Sequence, residues 1–159
     1  MLPLLLVACQ KAPKADATPV ASASAIASAS AAPARAWYEG AWQGSFQAEL
    51  RRIEVAPGGV KEWKSDDGKH ASGPGTLKLS VSADGTVDGT ASGALGELLV
   101  TGHANGDRLA LTLTPAEPDG FHGFAVASQT ADGLQGTLNA SSADSLQARQ
   151  AKLTLSRAP

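Results

Sequence analysis

The fold class is decided by residues 105–114, which read Asn105-Gly106-Asp107-Arg108-Leu109-Ala110-Leu111-Thr112-Leu113-Thr114. Leucine alternates here with smaller or polar residues, so that every second side chain is a large apolar one. A period of two is typical of a β-strand that buries one of its faces. The Asn-Gly pair in front of it supplies the positive φ angles that a two-residue hairpin loop requires. The stretch therefore predicts a strand that follows its predecessor in an antiparallel hairpin.

The same alternation recurs along the chain between Asp-Gly and Asn-Gly pairs. It predicts strands over residues 37–50, 52–56, 75–82, 86–92, 97–104, 107–114, 121–128, 133–140 and 148–156. The apolar parity slips at Arg51-Arg52, and a bulge there would return Ile53 and Val55 to the buried face. Short hairpin links favour an antiparallel meander.

The predicted fold class is therefore all-β, either a small antiparallel meander barrel of about eight strands or a two-sheet sandwich. We favour the barrel, because closure removes exposed strand edges. A weak repeat leaves a β-solenoid as the runner-up, since Asp119-Gly120-Phe121-His122-Gly123 is followed after 13 residues by Asp132-Gly133-Leu134-Gln135-Gly136.

The predicted inward faces of two strands contain small residues, and this feature has two interpretations. They are Val87, Gly89, Ala91, Gly93 and Leu95 on one strand, and Leu98, Val100, Gly102 and Ala104 on the next. Such residues let neighbouring elements approach closely, or they leave space for an apolar ligand in the barrel mouth. We favour close packing. Among the histidines, His103 lies off the apolar phase, whereas the parity that His122 shares with Phe124 and Val126 favours an inward position.

The amino terminus carries a different signal. It reads Met1-Leu2-Pro3-Leu4-Leu5-Leu6-Val7-Ala8-Cys9, an apolar run shorter than the roughly 20 residues that span a bilayer. Cys9 is the only cysteine, which excludes a disulfide within the chain. The run is typical of the end of a secretory signal. Because no Lys or Arg precedes Cys9, we expect a longer signal that starts upstream of Met1.

The tetrapeptide Leu6-Val7-Ala8-Cys9 resembles the lipobox of bacterial lipoproteins. The resemblance implies a diacylglyceryl group on the Cys9 thiol, cleavage after Ala8 and acylation of the new amino terminus. Residue 10 is Gln10, whereas an Asp after the cysteine is typical of lipoproteins kept at the inner membrane. The resemblance therefore implies a lipid-anchored protein of the cell envelope, held at the outer membrane.

The segment after the lipobox predicts a flexible tether. Residues 10–36 contain 12 Ala, four Ser and three Pro residues, and little that could form a core. A coil of this length spans roughly 30 Å on average. We therefore predict a signal peptide over residues 1–8, a lipidated disordered linker over residues 9–36 and a barrel-like domain over residues 37–159.

Two features of the domain suggest binding residues. The irregular stretch 57–74 is long for a compact domain, and such loops are often functional. Its aromatic and charged residues form a candidate binding loop, namely Lys61, Trp63, Lys64, Asp66, Asp67, Lys69 and His70. The alternative is a protruding hairpin in which Trp63 covers one barrel end.

The second feature is Gly40-Ala41-Trp42, which is similar to the Gly-x-Trp pattern on the first strand of lipocalin-like barrels. In that family the tryptophan plugs one end of the barrel, and the resemblance implies this barrel-end role for Trp42. The alternative, which we favour, is an ordinary core tryptophan, as in many small β-domains. The similarity covers three residues and implies no ligand.

The composition and motifs of the sequence limit the classes of function that the domain can have. A net charge of −2 excludes a strongly basic nucleic-acid binder. No serine lies in a Gly-x-Ser-x-Gly elbow, and we predict no catalytic residue, metal site or cofactor. The predicted function is that of a membrane-tethered envelope lipoprotein whose non-catalytic β-domain binds a partner or supports the envelope. The alternative is a lipocalin-like carrier of a small apolar ligand. The expected partners are the membrane, through lipid on Cys9, and either an envelope protein or such a ligand.

Overall fold

The structure, a computed structural model, describes residues 36–54, 56–59 and 65–159. These residues form eight β-strands and turn at Gly-containing hairpins, as the alternating pattern requires. The strands are β1 (Gly40–Leu50), β2 (Gly73–Val81), β3 (Thr86–Gly93), β4 (Leu98–Asn105), β5 (Arg108–Pro115), β6 (His122–Thr130), β7 (Gly133–Ser141) and β8 (Ala148–Arg157).

The strands close into one barrel in chain order. Every strand pairs in antiparallel fashion with the next one, and β8 returns to pair with β1 from Trp42–Arg157 to Leu50–Arg149. The predicted all-β meander barrel is confirmed. The sandwich and solenoid alternatives are wrong, because the pairing of β1 with β8 leaves no open sheet.

Side chains fill the barrel interior. Leu109, Leu111 and Leu113 of β5 point inward and are at most 2% exposed, and leucine, valine, alanine and aromatic residues from all eight strands join them. The small inward residues allow close packing, as we favoured. A Cβ atom on Gly102 would collide with the carbonyl oxygen of Ala110 and lie 3.0 Å from the side chain of Leu111.

The predicted strand over residues 52–56 is wrong. Residues 51–54 and 56 are irregular, and Ile53 is 42% exposed instead of buried. The cause is a lack of partners, because β1 has no neighbour on either side beyond Leu50. One further bond, from the Arg51 amide to the Ala148 carbonyl, marks the point where the chain leaves the sheet.

The predicted inward position of His122 is also wrong. His122, Phe124 and Val126 are exposed on the outer face of β6, whereas Ala125 and Ala127 point inward and are fully buried. Strand β6 thus directs its bulkier residues outward. Its inward positions accept only small side chains, because the leucines of β5 and β7 already fill the adjacent interior.

The two barrel ends differ. The hairpins between β2 and β3, β4 and β5, and β6 and β7 are short and form what we call the turn end. The connections between β1 and β2, β3 and β4, β5 and β6, and β7 and β8 form the loop end. Within the part of the chain that the structure describes, no helix is long and apolar enough to cross a bilayer.

Candidate binding site on the outer barrel face

An aromatic and arginine cluster closes the turn end. Trp42 is 4% exposed, and its indole Nε1 donates a hydrogen bond to the Tyr38 carbonyl at 2.7 Å. The guanidinium of Arg157 lies 4.6 Å from the centre of the Trp42 ring and donates to the carbonyls of Trp37 and Glu39. The cation–π contact and these hydrogen bonds hold the chain before β1 against the end of β8, and the Trp37 indole Nε1 donates to the Gly106 carbonyl between β4 and β5 at 2.8 Å. Trp42 therefore lies among buried side chains at a closed end.

A buried ion pair occupies the loop end. Arg149 points inward from the start of β8 and is fully buried. Its guanidinium donates to both carboxylate oxygens of Asp66, at 2.6 and 3.0 Å, and to the carbonyls of His70 and Ala148. The same group lies 5.7 Å from the centre of the Phe121 ring. All the donor nitrogens of the arginine are used, as burial of this charge requires.

The environment of Asp66 stabilises its charged form. The hydrogen bonds from Arg149 lower the pKa of this carboxyl below its usual value, and the amide of Gly68 acts in the same direction against the opposing effect of burial. Asp66 is therefore a carboxylate whose charge is compensated inside the protein. It has little capacity left for an external ligand.

The described residues of the candidate binding loop form two groups, one that contacts the buried Arg149 and one that is an exposed ion pair. Asp66 and the backbone of His70 hold Arg149, and the His70 ring Nδ1 lies 2.9 Å from the side-chain oxygen of Gln147. Asp67 and Lys69 form an exposed ion pair at 3.0 Å, and the hydrogen bonds from the Lys69 amide and then from its side chain lower the pKa of the Asp67 carboxyl. The predictions for Lys61, Trp63 and Lys64, and for the lipidated Cys9, lie outside the described residues.

A first depression lies on the outside of the barrel beside Phe124, and we call it the Phe124 cleft. Its volume is about 600 Å³, and it runs between the irregular segment 51–54 and the outer faces of β6 and β7. Phe124 is 55% exposed and Ile53 is 42% exposed. Arg51, Arg52, Glu54, His122, Asn139 and Ser141 also line the cleft. Aromatic residues, phenylalanine included, and arginine are enriched in protein–protein interfaces relative to the rest of the surface.

A second depression adjoins the first across β7, β8 and β1, and we call it the amide groove. It has a volume of about 470 Å³, and its outward side chains are Gln47, Glu49, Thr137, Asn139, Gln150 and Lys152. These residues carry both donors and acceptors. One carboxylate and one ammonium group balance in charge, and the remaining side chains are neutral.

Asn139 joins the two depressions, because its side chain lines both. The guanidinium of Arg51 donates a hydrogen bond to the Asn139 side-chain oxygen at 2.8 Å. The oxygen accepts one hydrogen bond in this contact, and the amide NH₂ remains a donor. The irregular segment that leaves β1 thus orients a polar group on β7.

The cross-strand register places these side chains in rows. Phe124 faces Asn139, Asn139 faces Gln150, and Gln150 faces Glu49 across β6, β7, β8 and β1. A parallel row contains Val126, Thr137, Lys152 and Gln47. The two depressions therefore form one continuous outer face, with an apolar end on β6 and an amide-rich end on β8 and β1.

Sequence reasoning missed Arg149 and this outer face, although both leave a signal. Arg149 has the parity of Ala151, Leu153 and Leu155, and an arginine on the buried phase of a strand demands a buried acceptor. For the outer face the signal lies on β6, where the residues of one parity are phenylalanine and valine and those of the other parity are alanine.

Among the residues that the structure describes, no three His, Cys, Asp or Glu side chains are grouped so that they could hold a metal ion. Comparison of the chain with protein families, curated proteins and solved structures gives no match.

Proposed function

We propose that the protein is a lipid-anchored envelope lipoprotein whose barrel is a non-catalytic binding module. The lipobox-like tetrapeptide supports the anchor, with Cys9 as the lipidated residue, cleavage after Ala8 and the outer membrane as the location. Two or more acyl chains make such an anchor stable, whereas one chain binds only marginally. The Ala/Ser/Pro segment over residues 10–36 would hold the barrel clear of the lipid head groups.

The outer face formed by the Phe124 cleft and the amide groove is the proposed binding surface. The observation that carries this proposal is the exposure of Phe124 on a strand that places alanine inside. Burial of a phenylalanine side chain contributes roughly 1.5–3 kcal/mol, and a ligand that covers the exposed Phe124 ring would gain part of this energy. Sites where the sequence pattern and the fold conflict in this way are often functional.

The filled interior favours the outer face over the lipocalin-like alternative. A carrier of an apolar ligand needs an apolar cavity of a few hundred Å³. In the described barrel, leucine and aromatic side chains that are at most 4% exposed occupy this space. The depressions described above lie outside the barrel wall.

Metabolic labelling with radioactive palmitate tests the anchor. Wild-type protein should incorporate the label, and the Cys9→Ala variant should not, because no other thiol is present in the chain. Equal incorporation into both proteins would refute lipidation at Cys9.

Photo-crosslinking in intact cells tests the binding surface. A benzoylphenylalanine in place of Phe124 should give a crosslinked adduct with an envelope component. The matched control carries the same group in place of Leu99 on β4, which is 56% exposed and lies outside both depressions. An adduct from position 99 alone, or the same adduct from both positions, would contradict the proposal.

A further inference from the structure

We propose that the outer face binds an uncharged, extended oligosaccharide chain. This inference rests on the proposed binding function and names the chemical class of its ligand. It starts from the juxtaposition of an exposed aromatic ring with a row of amide side chains. Phe124, Asn139 and Gln150 follow one another in register across β6, β7 and β8.

The chemistry of these side chains matches that of a sugar. A pyranose ring has faces of C–H groups, which pack on the face of an aromatic ring, and an edge of hydroxyl groups. Each hydroxyl both donates and accepts hydrogen bonds, and amide side chains offer both partners in a planar arrangement. Phe124 supplies the aromatic face, Asn139 supplies an amide on the neighbouring strand, and Gln150 and Gln47 supply amides further along the amide groove.

The Asn139 side chain is already ordered before a ligand binds, and this favours its hydrogen bonding to a sugar hydroxyl. The side-chain oxygen of Asn139 accepts a hydrogen bond from the Arg51 guanidinium, which restricts the rotation of this side chain beside the groove. A side chain that is already ordered loses less conformational entropy when a ligand binds. Hydrogen bonds to hydroxyl groups then discriminate against ligands that lack them.

The charge of the face also favours an uncharged ligand. The two depressions contain the cations Arg51, Arg52 and Lys152 against the anions Glu49 and Glu54. This near balance gives no strong field to attract a polyanion. An acidic peptide or a sulfated polysaccharide would need a larger excess of cationic side chains than the single net positive charge of these five residues.

The dimensions agree with an extended chain. Neighbouring strands lie about 4.8 Å apart, so the row from Phe124 to Glu49 spans roughly 15 Å over three strand intervals. The strand spacing is close to the length of one sugar unit in an extended β-linked chain. Successive sugars can therefore contact successive strands.

Titration of the full-length protein with oligosaccharides tests the inference. The protein is kept in a detergent without a sugar head group, and amide chemical shifts are followed by NMR. The probes are the β1,4-linked hexasaccharides of N-acetylglucosamine and of glucose, with a heparin hexasaccharide as the anionic comparison. At least one neutral probe should bind with a Kd in the millimolar range or below and should bind more tightly than heparin.

Substitutions then locate the site. Phe124→Ala and Gln150→Ala should each weaken binding of that probe by about tenfold or more. The matched controls Leu99→Ala and Gln43→Ala, which change exposed residues outside both depressions, should bind as wild type does. Dispersed amide spectra verify the fold of every variant.

Lack of binding by both neutral probes, tighter binding of heparin, or equal losses in the control variants would each overturn the inference. If the crosslink at position 124 joins a protein while both neutral probes fail, the sugar class is refuted and the binding surface is retained. If the crosslink is also absent, the proposed function fails as well.

Discussion

The guanidinium of Arg149 donates to both carboxylate oxygens of Asp66, and its side chain is fully buried while that of Asp66 is 6% exposed. The two residues are 83 positions apart in the chain. Their pairing ties the connection after β1 to the start of β8 and closes the loop end of the barrel. The geometry is bidentate, which is the arrangement that gives arginine–carboxylate pairs their specificity.

Removal of the acid from this pair should destabilise the barrel strongly. Asp66→Ala leaves the buried Arg149 charge uncompensated, and we expect a loss of about 3–5 kcal/mol in the free energy of unfolding. The control is Asp67→Ala, which removes the partner of Lys69 from an exposed pair and should leave stability near that of wild type. Urea denaturation measures both values. Similar losses in the two variants would show that the buried pair has no special role.

Acid should remove the stabilisation that Asp66 provides. Because the folded protein lowers the pKa of Asp66, its contribution is complete above the ordinary value of 3.8 and is lost as the pH falls through the lower folded value. The stability difference between wild type and Asp66→Asn should stay constant from neutral pH to about pH 5 and shrink below it. Denaturation curves along a pH series test this. A difference that grows in acid would contradict the assigned direction of the shift.

Arg157 should hold the segment before β1 through its forked donor group. Arg157→Lys keeps the charge but cannot donate to the carbonyls of Trp37 and Glu39 with the same geometry. We expect faster hydrogen exchange at the Glu39 amide and a stability loss of about 1–2 kcal/mol. Arg108→Lys, at an exposed arginine paired with Asp107 at 3.8 Å, is the control. Unchanged exchange in Arg157→Lys would exclude this role.

Phe121 and Phe124 lie on opposite faces of the barrel wall, so substitutions at these two positions distinguish a role in stability from a role in binding. Phe121 is 4% exposed and Phe124 is 55% exposed. Phe121→Ala should cost about 3–5 kcal/mol because it opens a cavity, whereas Phe124→Thr should change stability by less than about 0.5 kcal/mol. Thermal or urea unfolding distinguishes them. A large loss in Phe124→Thr would mean that the exposed ring serves the fold and not a ligand.

The predictable part of the fold rests on simple periodicity. Leu109, Leu111 and Leu113 of β5 alternate with smaller or polar residues, as do Leu153 and Leu155 of β8, and the inward position of these leucines follows directly from the alternation. The glycine-containing turns make consecutive strands antiparallel neighbours. Because β8 pairs with β1, the eight strands leave no open edge.

The unpredictable part depends on contacts between distant segments. The alternation of Ile53 and Val55 indicated a strand, but strand formation needs a partner. The pairing of β1 with β2 ends at Ala48, and its pairing with β8 ends at Leu50. On β6 the larger residues suggested the inward face, whereas the interior had room only for alanine and glycine. The pairing of Arg149 with Asp66 depends on barrel closure, which no local pattern encodes.

We propose that the outer face, and not the interior or the loop after β1, binds the ligand. Amide chemical-shift mapping of the labelled full-length protein, titrated with the solubilised envelope fraction, tests this claim most directly. The claim predicts that the largest shifts cluster around Phe124, Asn139 and Gln150. Shifts concentrated on the inward residues Val87 and Leu109, or on residues 65–72 of the loop, would contradict it.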